Sequence, residues 1–150
     1  MKRILIAAAM VVAGSAAFAQ DGLIKLKAQG DVPTVMDALE AAVKDAGATV
    51  FARVDHAGGA ETVGMELAPE QLLIFGNPKL GTPAMQDDPL AGLYLPLRVL
   101  VYSDADGMTW IAYEDPAAML DGLEGIPDGA EYEAKMQGAL KMLTTKAAVN

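Results

Sequence analysis

Two stretches of this 150-residue chain carry side chains whose types and spacing could do chemistry. The richer one runs Phe75-Gly76-Asn77-Pro78-Lys79-Leu80-Gly81-Thr82-Pro83-Ala84-Met85-Gln86. Its two glycines permit backbone shapes that other residues resist. Asn77 and Thr82 offer polar atoms, and Lys79 supplies a cation. A loop of this kind entering a helix can hold a small anion, because the first amides of a helix point outward with partial positive charge. The gap between Gly76 and Gly81 is that of a nucleotide-binding loop. That motif needs lysine where Thr82 stands, and Pro78 removes an amide hydrogen from the would-be cradle. Nucleotide hydrolysis is therefore not expected. The bland alternative is a turn stiffened by glycine and proline.

The second stretch is Asp55-His56, where the only imidazole of the chain follows a carboxylate at a predicted strand end. A histidine so placed can act as a general acid or base, and a nearby carboxylate favours its charged form. Neighbouring strand residues point to opposite faces, so the pair need not touch, and a structural hydrogen bond is the competing reading. One histidine and no cysteine give no metal cage, so no metal is expected. Ser103 lacks a glycine elbow, which disfavours a serine nucleophile. Asp104-Ala105-Asp106-Gly107 lacks the remaining oxygen ligands of a calcium loop and reads as a turn. No cofactor is indicated.

Composition narrows the field further. Zero cysteine removes disulfides, thiolate metal sites and cysteine nucleophiles. The formal charge is −9, a field that repels phosphodiester backbones and anionic membrane, so nucleic acid is not an expected partner. At the front, Met1-Lys2-Arg3 is basic, Ile4 to Ala13 is apolar, and Ala17-Phe18-Ala19 has the small-x-small pattern of a cleavage site. Residues 1–19 thus read as a signal peptide, too short in its apolar run for a membrane span. The expected mature chain is a single domain over 20–150, periplasmic or secreted, with no membrane span once the leader is removed.

The elements that must position these side chains follow from periodicity. Leu23 to Lys27 is a short strand candidate. Asp31 is a cap and Pro33 a first-turn residue for a helix with Val35, Leu39, Val43 and Ala46 on one face, stopped at Gly47. Thr49 to Asp55 alternates, with Val50, Ala52 and Val54 on one side and Phe51, Arg53 and Asp55 on the other. Leu72 to Phe75 is an apolar strand. Thr82-Pro83 suggests a capped short helix over Ala84 to Asp88. Leu97 to Tyr102 and Met108 to Tyr113 form a hairpin around Asp104 to Gly107, with Trp110, Tyr102 and Tyr113 available to line a pocket. A final helix over 131–148 has Tyr132, Met136, Leu140, Leu143 and Ala147 as its stripe, with acids near its start and lysines near its end. Strand runs with helices held apart predict an α+β fold, a mostly antiparallel sheet with helices on one face.

Taken in order, Phe51 to Ala57, Val63-Gly64, Leu72 to Lys79 with Gly81 to Met85, and Leu95 to Val101 resemble the DUF302 family. The Gly-Asn-Pro loop with its following Gly-Thr carries most of the likeness, which extends from Gly22 to about Leu120. This resemblance implies a two-layer sandwich with a curved sheet, similar in plan to the TATA-binding-protein fold, and a homodimer. It establishes no activity. Its prominent polar positions fall on Asp55, His56, Asn77 and Thr82, with Met85 alongside. Together with Lys79 these form the expected site, a single recess between Asp55-His56 and the Asn77 to Met85 loop. The first expectation is an exported module binding a small, anionic molecule. The alternatives are an enzyme with His56 as general acid or base, Asp55 being the other catalytic candidate, and a structural or assembly protein.

Overall fold

The structure, a computed structural model, describes residues 22–149 together with the backbone of 17–20. Its elements are β1 (Ala17–Gln20), β2 (Leu23–Lys27), α1 (Val32–Asp45), β3 (Thr49–Asp55), α2 (His56–Glu61), β4 (Glu70–Gly76) and α3 (Pro78–Asp87). A 3-10 turn (Pro89–Leu93) then leads to β5 (Leu97–Ser103), β6 (Thr109–Glu114), α4 (Pro116–Leu120) and α5 (Glu131–Ala148). All strand pairings are antiparallel, in the order β1-β2-β6-β5-β4-β3. Five strands, β2 to β6, form the body of the sheet. The predicted leader lies outside the described residues except for Ala17 to Ala19, which pair with β2.

Helix α1 starts where Asp31 accepts the Thr34 amide at 2.9 Å and ends at Gly47, whose φ of 74° is a left-handed conformation that glycine adopts without strain. It buries Val32, Val35, Met36, Leu39, Ala42 and Val43. Helix α5 buries Tyr132, Met136, Leu140, Leu143 and Ala147, the stripe read from sequence. Both helices cover one face of the sheet, where Leu73, Phe75, Val99, Val101, Ile111 and Tyr113 complete the core. Truncating a fully buried leucine such as Leu39 costs about 2–5 kcal/mol in cores of this kind. Tyr113 therefore belongs to the core, and of the three hairpin aromatics only Tyr102 and Trp110 lie on the opposite face.

The turn of the β5–β6 hairpin is organised by one carboxylate. Asp104 accepts the amides of Asp106 and Met108 at 3.0 and 2.9 Å and the Trp110 indole N–H at 2.7 Å. These bonds favour the charged form and hold the Asp104 carboxyl below its ordinary range.

Two local expectations are corrected. Strand β3 does not alternate throughout: the register slips between Val50 and Ala52, leaving Phe51 as the extra residue of a bulge. Beyond the bulge the faces are exchanged, so Arg53 turns toward α1 and bonds Asp37, Glu40 and Gln71. The helix after β4 starts not at Ala84 but at Pro78. Asn77 is its cap rather than Thr82, and Pro83 sits inside it.

Candidate functional site

Strands β3 and β4 pair along their lengths, and each feeds a helix at an opposite end of the pair. The register sets Thr49 against Gly76 and Asp55 against Gln71. Six strand residues at about 3.3 Å each separate these ends by roughly 20 Å. Asp55 and His56 therefore lie at one end of the sheet and Asn77 at the other. The single recess expected between them does not exist, and the loss is one of topology: an antiparallel pair puts the exit of one strand beside the entrance of the next.

At the far end from His56, both oxygens of Asn77 are used in starting a helix. Pro78 has no amide hydrogen, Lys79 donates its backbone N–H to Asn77 Oδ1 at 3.0 Å, and Leu80 and Gly81 donate to the Asn77 carbonyl at 2.9 and 3.0 Å. The amides that would have cradled an anion are the first turn of α3, each satisfied or missing. The expected anion cradle is thus corrected to a helix cap.

What this end of the sheet does contain is a cavity of about 360 Å³. Asn77, Thr82 and Met85 line it, whereas Lys79, Asp55 and His56 do not. The rest of its wall was not singled out from sequence: Phe51, Leu80, Leu95, Pro96 and Leu97, with Met136 of α5. The bulge places Phe51 here, and Gly76 lets its ring approach. A Cβ on Gly76 would stand 3.4 Å from both Phe51 Cε2 and Pro96 Cβ. Gly81 and Gly92 do the same for Met85, whose methyl and sulfur lie 3.8 and 3.7 Å from the positions their Cβ atoms would take. Met136 is fully buried, while Phe51 and Met85 are 58% and 38% exposed, so a wall rooted in the core ends in an open apolar rim. The legible signal was the cluster of glycines facing large apolar residues.

Helix α3 is anchored at its far end as well. Tyr132 of α5 donates its hydroxyl to Asp87 at 2.9 Å, and Asp88 accepts the Gly125 amide at 3.2 Å. Burial and the Asp87 carboxylate push the Tyr132 hydroxyl up to about 12, so it remains a donor throughout the physiological range.

At the other end of the sheet, Asp55 caps α2 by accepting the Gly58 amide at 2.9 Å. His56 is the first residue of that helix. The α2 helix buries no side chain, and the segment after it exposes Val63, Met65 and Leu67. His56 itself is partly buried and does not line the cavity at the Asn77 end.

A second cavity, about 220 Å³, is lined by Asp121, Asp128 and Glu133 with the loop between α4 and α5. Burial, then the charges of Asp115, Asp128 and Asp121, raise the Glu133 carboxyl above its ordinary range. Among the described residues, no group of histidines and carboxylates is arranged to hold a metal ion.

The fold and this site define a class: an α+β domain with one antiparallel sheet, helices over one of its faces, and an apolar cavity where the strands end. The chain belongs to the family described as domain of unknown function DUF302, whose model matches residues 24–143. The crystal structure of an uncharacterized conserved DUF302 protein from Bacillus stearothermophilus superposes with a TM-score of 0.75, covering 84% of this chain and 98% of that one at 20% identity. Among curated proteins, the chain is 40% identical over 102 residues to the fluoride-specific ion channel FluC 1 of Brucella suis and to that of Brucella abortus. The match spans 68% of this chain but only 40% and 38% of those relatives. Among the described residues no helix is long and apolar enough to cross a membrane.

Proposed function

We propose that this chain is an exported binding module whose ligand is a small, uncharged, largely apolar molecule seated in the cavity beside α3. The observation that carries this reading is the wall itself. About 360 Å³ is enclosed by Phe51, Leu80, Met85, Leu95, Leu97 and Met136, with Asn77 and Thr82 as its polar side chains. Ligand pockets generally combine this volume range with a mostly apolar lining and a few polar groups that fix orientation. An anion would leave its hydration shell for a surface that offers no cation and no unpaired helix amide, a transfer that costs several kcal/mol. Fluoride is the extreme case, so the name borne by the Brucella relatives is read as describing another part of those longer proteins. The shared domain would serve there as an accessory to transport.

The test is a thermal-shift and NMR screen with three sets of probes: uncharged aromatic and aliphatic fragments of about 10–20 heavy atoms, carboxylates of matching size, and sodium fluoride. Uncharged fragments are expected to raise Tm, to shift resonances of Met85 and Met136, and to lose both effects in Gly81→Leu. His56→Ala should leave them intact. Stabilisation by the carboxylates or by fluoride, abolished by Lys79→Ala or His56→Ala, would overturn the reading.

A further inference from the structure

Starting helix α3 occupies the two oxygens of Asn77 and leaves its side-chain nitrogen over. Lys79 donates its backbone N–H to Asn77 Oδ1 at 3.0 Å, while Leu80 and Gly81 donate to the Asn77 carbonyl. The first of these bonds also fixes which way the side-chain amide is turned. A backbone N–H needs an oxygen opposite it, and an NH2 group in that place would set hydrogen against hydrogen. The NH2 group therefore takes the other limb of the amide. Among the described residues it donates to nothing.

Asn77 is half-buried and lines the cavity beside α3, where, among the described residues, Thr82 is the other polar side chain. The remaining wall is hydrocarbon and thioether, and Pro78 and Pro96 within it have no amide hydrogen. The side chains of the cavity thus offer one fixed donor, one rotatable hydroxyl and no charge. Capping accounts for the oxygen of this asparagine. The cavity gives the leftover NH2 group something to act on.

A donor so placed sorts occupants. An occupant that displaces water from Asn77 removes the solvent partners of the NH2 group, and only an acceptor on the occupant replaces them. A hydrocarbon leaves the donor unpaired, which opposes binding. A carboxylate offers an acceptor but gives up its hydration to a wall without a cation. An alcohol accepts the bond yet brings a proton of its own, for which Thr82 is the remaining side-chain partner. A carbonyl oxygen has two lone pairs and no proton, so it accepts from Asn77 Nδ2, with or without Thr82 Oγ1, and leaves nothing unpaired.

Taking the cavity beside α3 as the binding site, on which this inference rests, we propose that its ligand is a neutral carbonyl compound. The carbonyl oxygen accepts from the Asn77 side-chain NH2 group, and the hydrocarbon body lies against the apolar wall. Asn77 then caps α3 through Oδ1 and selects the ligand through Nδ2. The two roles separate cleanly in one variant, because aspartate caps a helix as well as asparagine does but has no hydrogen to donate.

Three aryl probes of similar size make the test, since aromatic rings pack favourably on a rim formed by Phe51 and Met85. Acetophenone carries the carbonyl, α-methylstyrene has a methylene in place of the oxygen, and benzyl alcohol carries a hydroxyl. In NMR titrations of the whole chain, acetophenone should bind about tenfold tighter than α-methylstyrene. It should also move the side-chain NH2 protons of Asn77 downfield, as a new acceptor does, whereas α-methylstyrene should not. In Asn77→Asp the affinity for acetophenone should fall about tenfold or more, and benzyl alcohol, which can donate to the carboxylate, should become the tightest of the three. Equal affinities for acetophenone and α-methylstyrene in the unaltered chain would overturn the carbonyl assignment and leave the cavity standing as the site. An Asn77→Asp variant that keeps its preference for the ketone would overturn it too. Should none of the three bind, the cavity reading falls and the carbonyl assignment with it. The comparison of acetophenone with α-methylstyrene needs no variant, so it decides the matter even if Asn77→Asp does not fold.

Discussion

The two ends of the β3–β4 pair make an instructive contrast. At each, a strand runs out into a helix whose first amides are satisfied by a short polar side chain, Asp55 at α2 and Asn77 at α3. The local chemistry is nearly the same. At the α3 end a cavity forms because the Phe51 bulge, the Leu95-Pro96-Leu97 approach to β5 and Met136 of α5 stand behind the cap, and none of these residues stands behind Asp55. Polar side chains at strand ends are thus explained by capping alone. What makes one end a site is the apolar wall that other elements bring to it.

The hardest way to break this contrast is to remove the wall's root. Met136→Ala takes away a fully buried side chain and is expected to cost about 2–5 kcal/mol in chemical unfolding while enlarging the cavity. A loss below about 0.5 kcal/mol would mean that α5 does not support the wall. Next comes the cap: Asn77→Ala should lower stability by about 1 kcal/mol, the ordinary value of a helix N-cap. Asp55→Ala should cost less, since α2 has six residues and buries none of their side chains. Equal losses would show the two ends to be energetically alike.

Gly81→Ala sharpens the comparison in the opposite direction. A Cβ there meets Leu95 and Met85 at ordinary contact distances, 3.7 and 3.8 Å, and alanine favours the helix. Stability should rise by about 0.5–1 kcal/mol while the cavity narrows and fragment affinity falls. A destabilised variant would show that the helix around Pro83 does not accept a side chain at this position. The smallest effect is expected at the imidazole: His56→Ala should change stability by no more than about 0.5 kcal/mol and leave fragment binding unaltered. A large loss of either would restore His56 to the site.

Much of the fold was legible because burial imposes a period. The stripes of α1 and α5, the Gly47 stop and the β5–β6 hairpin around Asp104 follow from residue spacing, and the structure has them, except that Ala46 is the exposed C-cap of α1 and not part of its buried stripe. The bulge at Phe51 was not legible, because a single inserted residue changes the face of everything after it without altering composition. The start of α3 was misplaced because Thr82-Pro83 carries the same cap-and-proline signature as Asn77-Pro78, and both satisfy the local rule. For the site, sequence pointed to Asp55, His56, Asn77, Lys79, Thr82 and Met85, of which Asn77, Thr82 and Met85 line the cavity. The cavity is made chiefly of residues that look like ordinary core.

The sequence by itself determined the elements, the caps that start the helices and the family to which the chain belongs, because these depend on neighbours within a few positions. Only the tertiary structure decided which strand end acquires a wall, that Asp55-His56 and Asn77 are held at opposite ends, and which apolar residues are left outside the core. Those outcomes depend on strand order and register, which are set when distant segments compete to bury their apolar faces and are written in no single stretch of the chain.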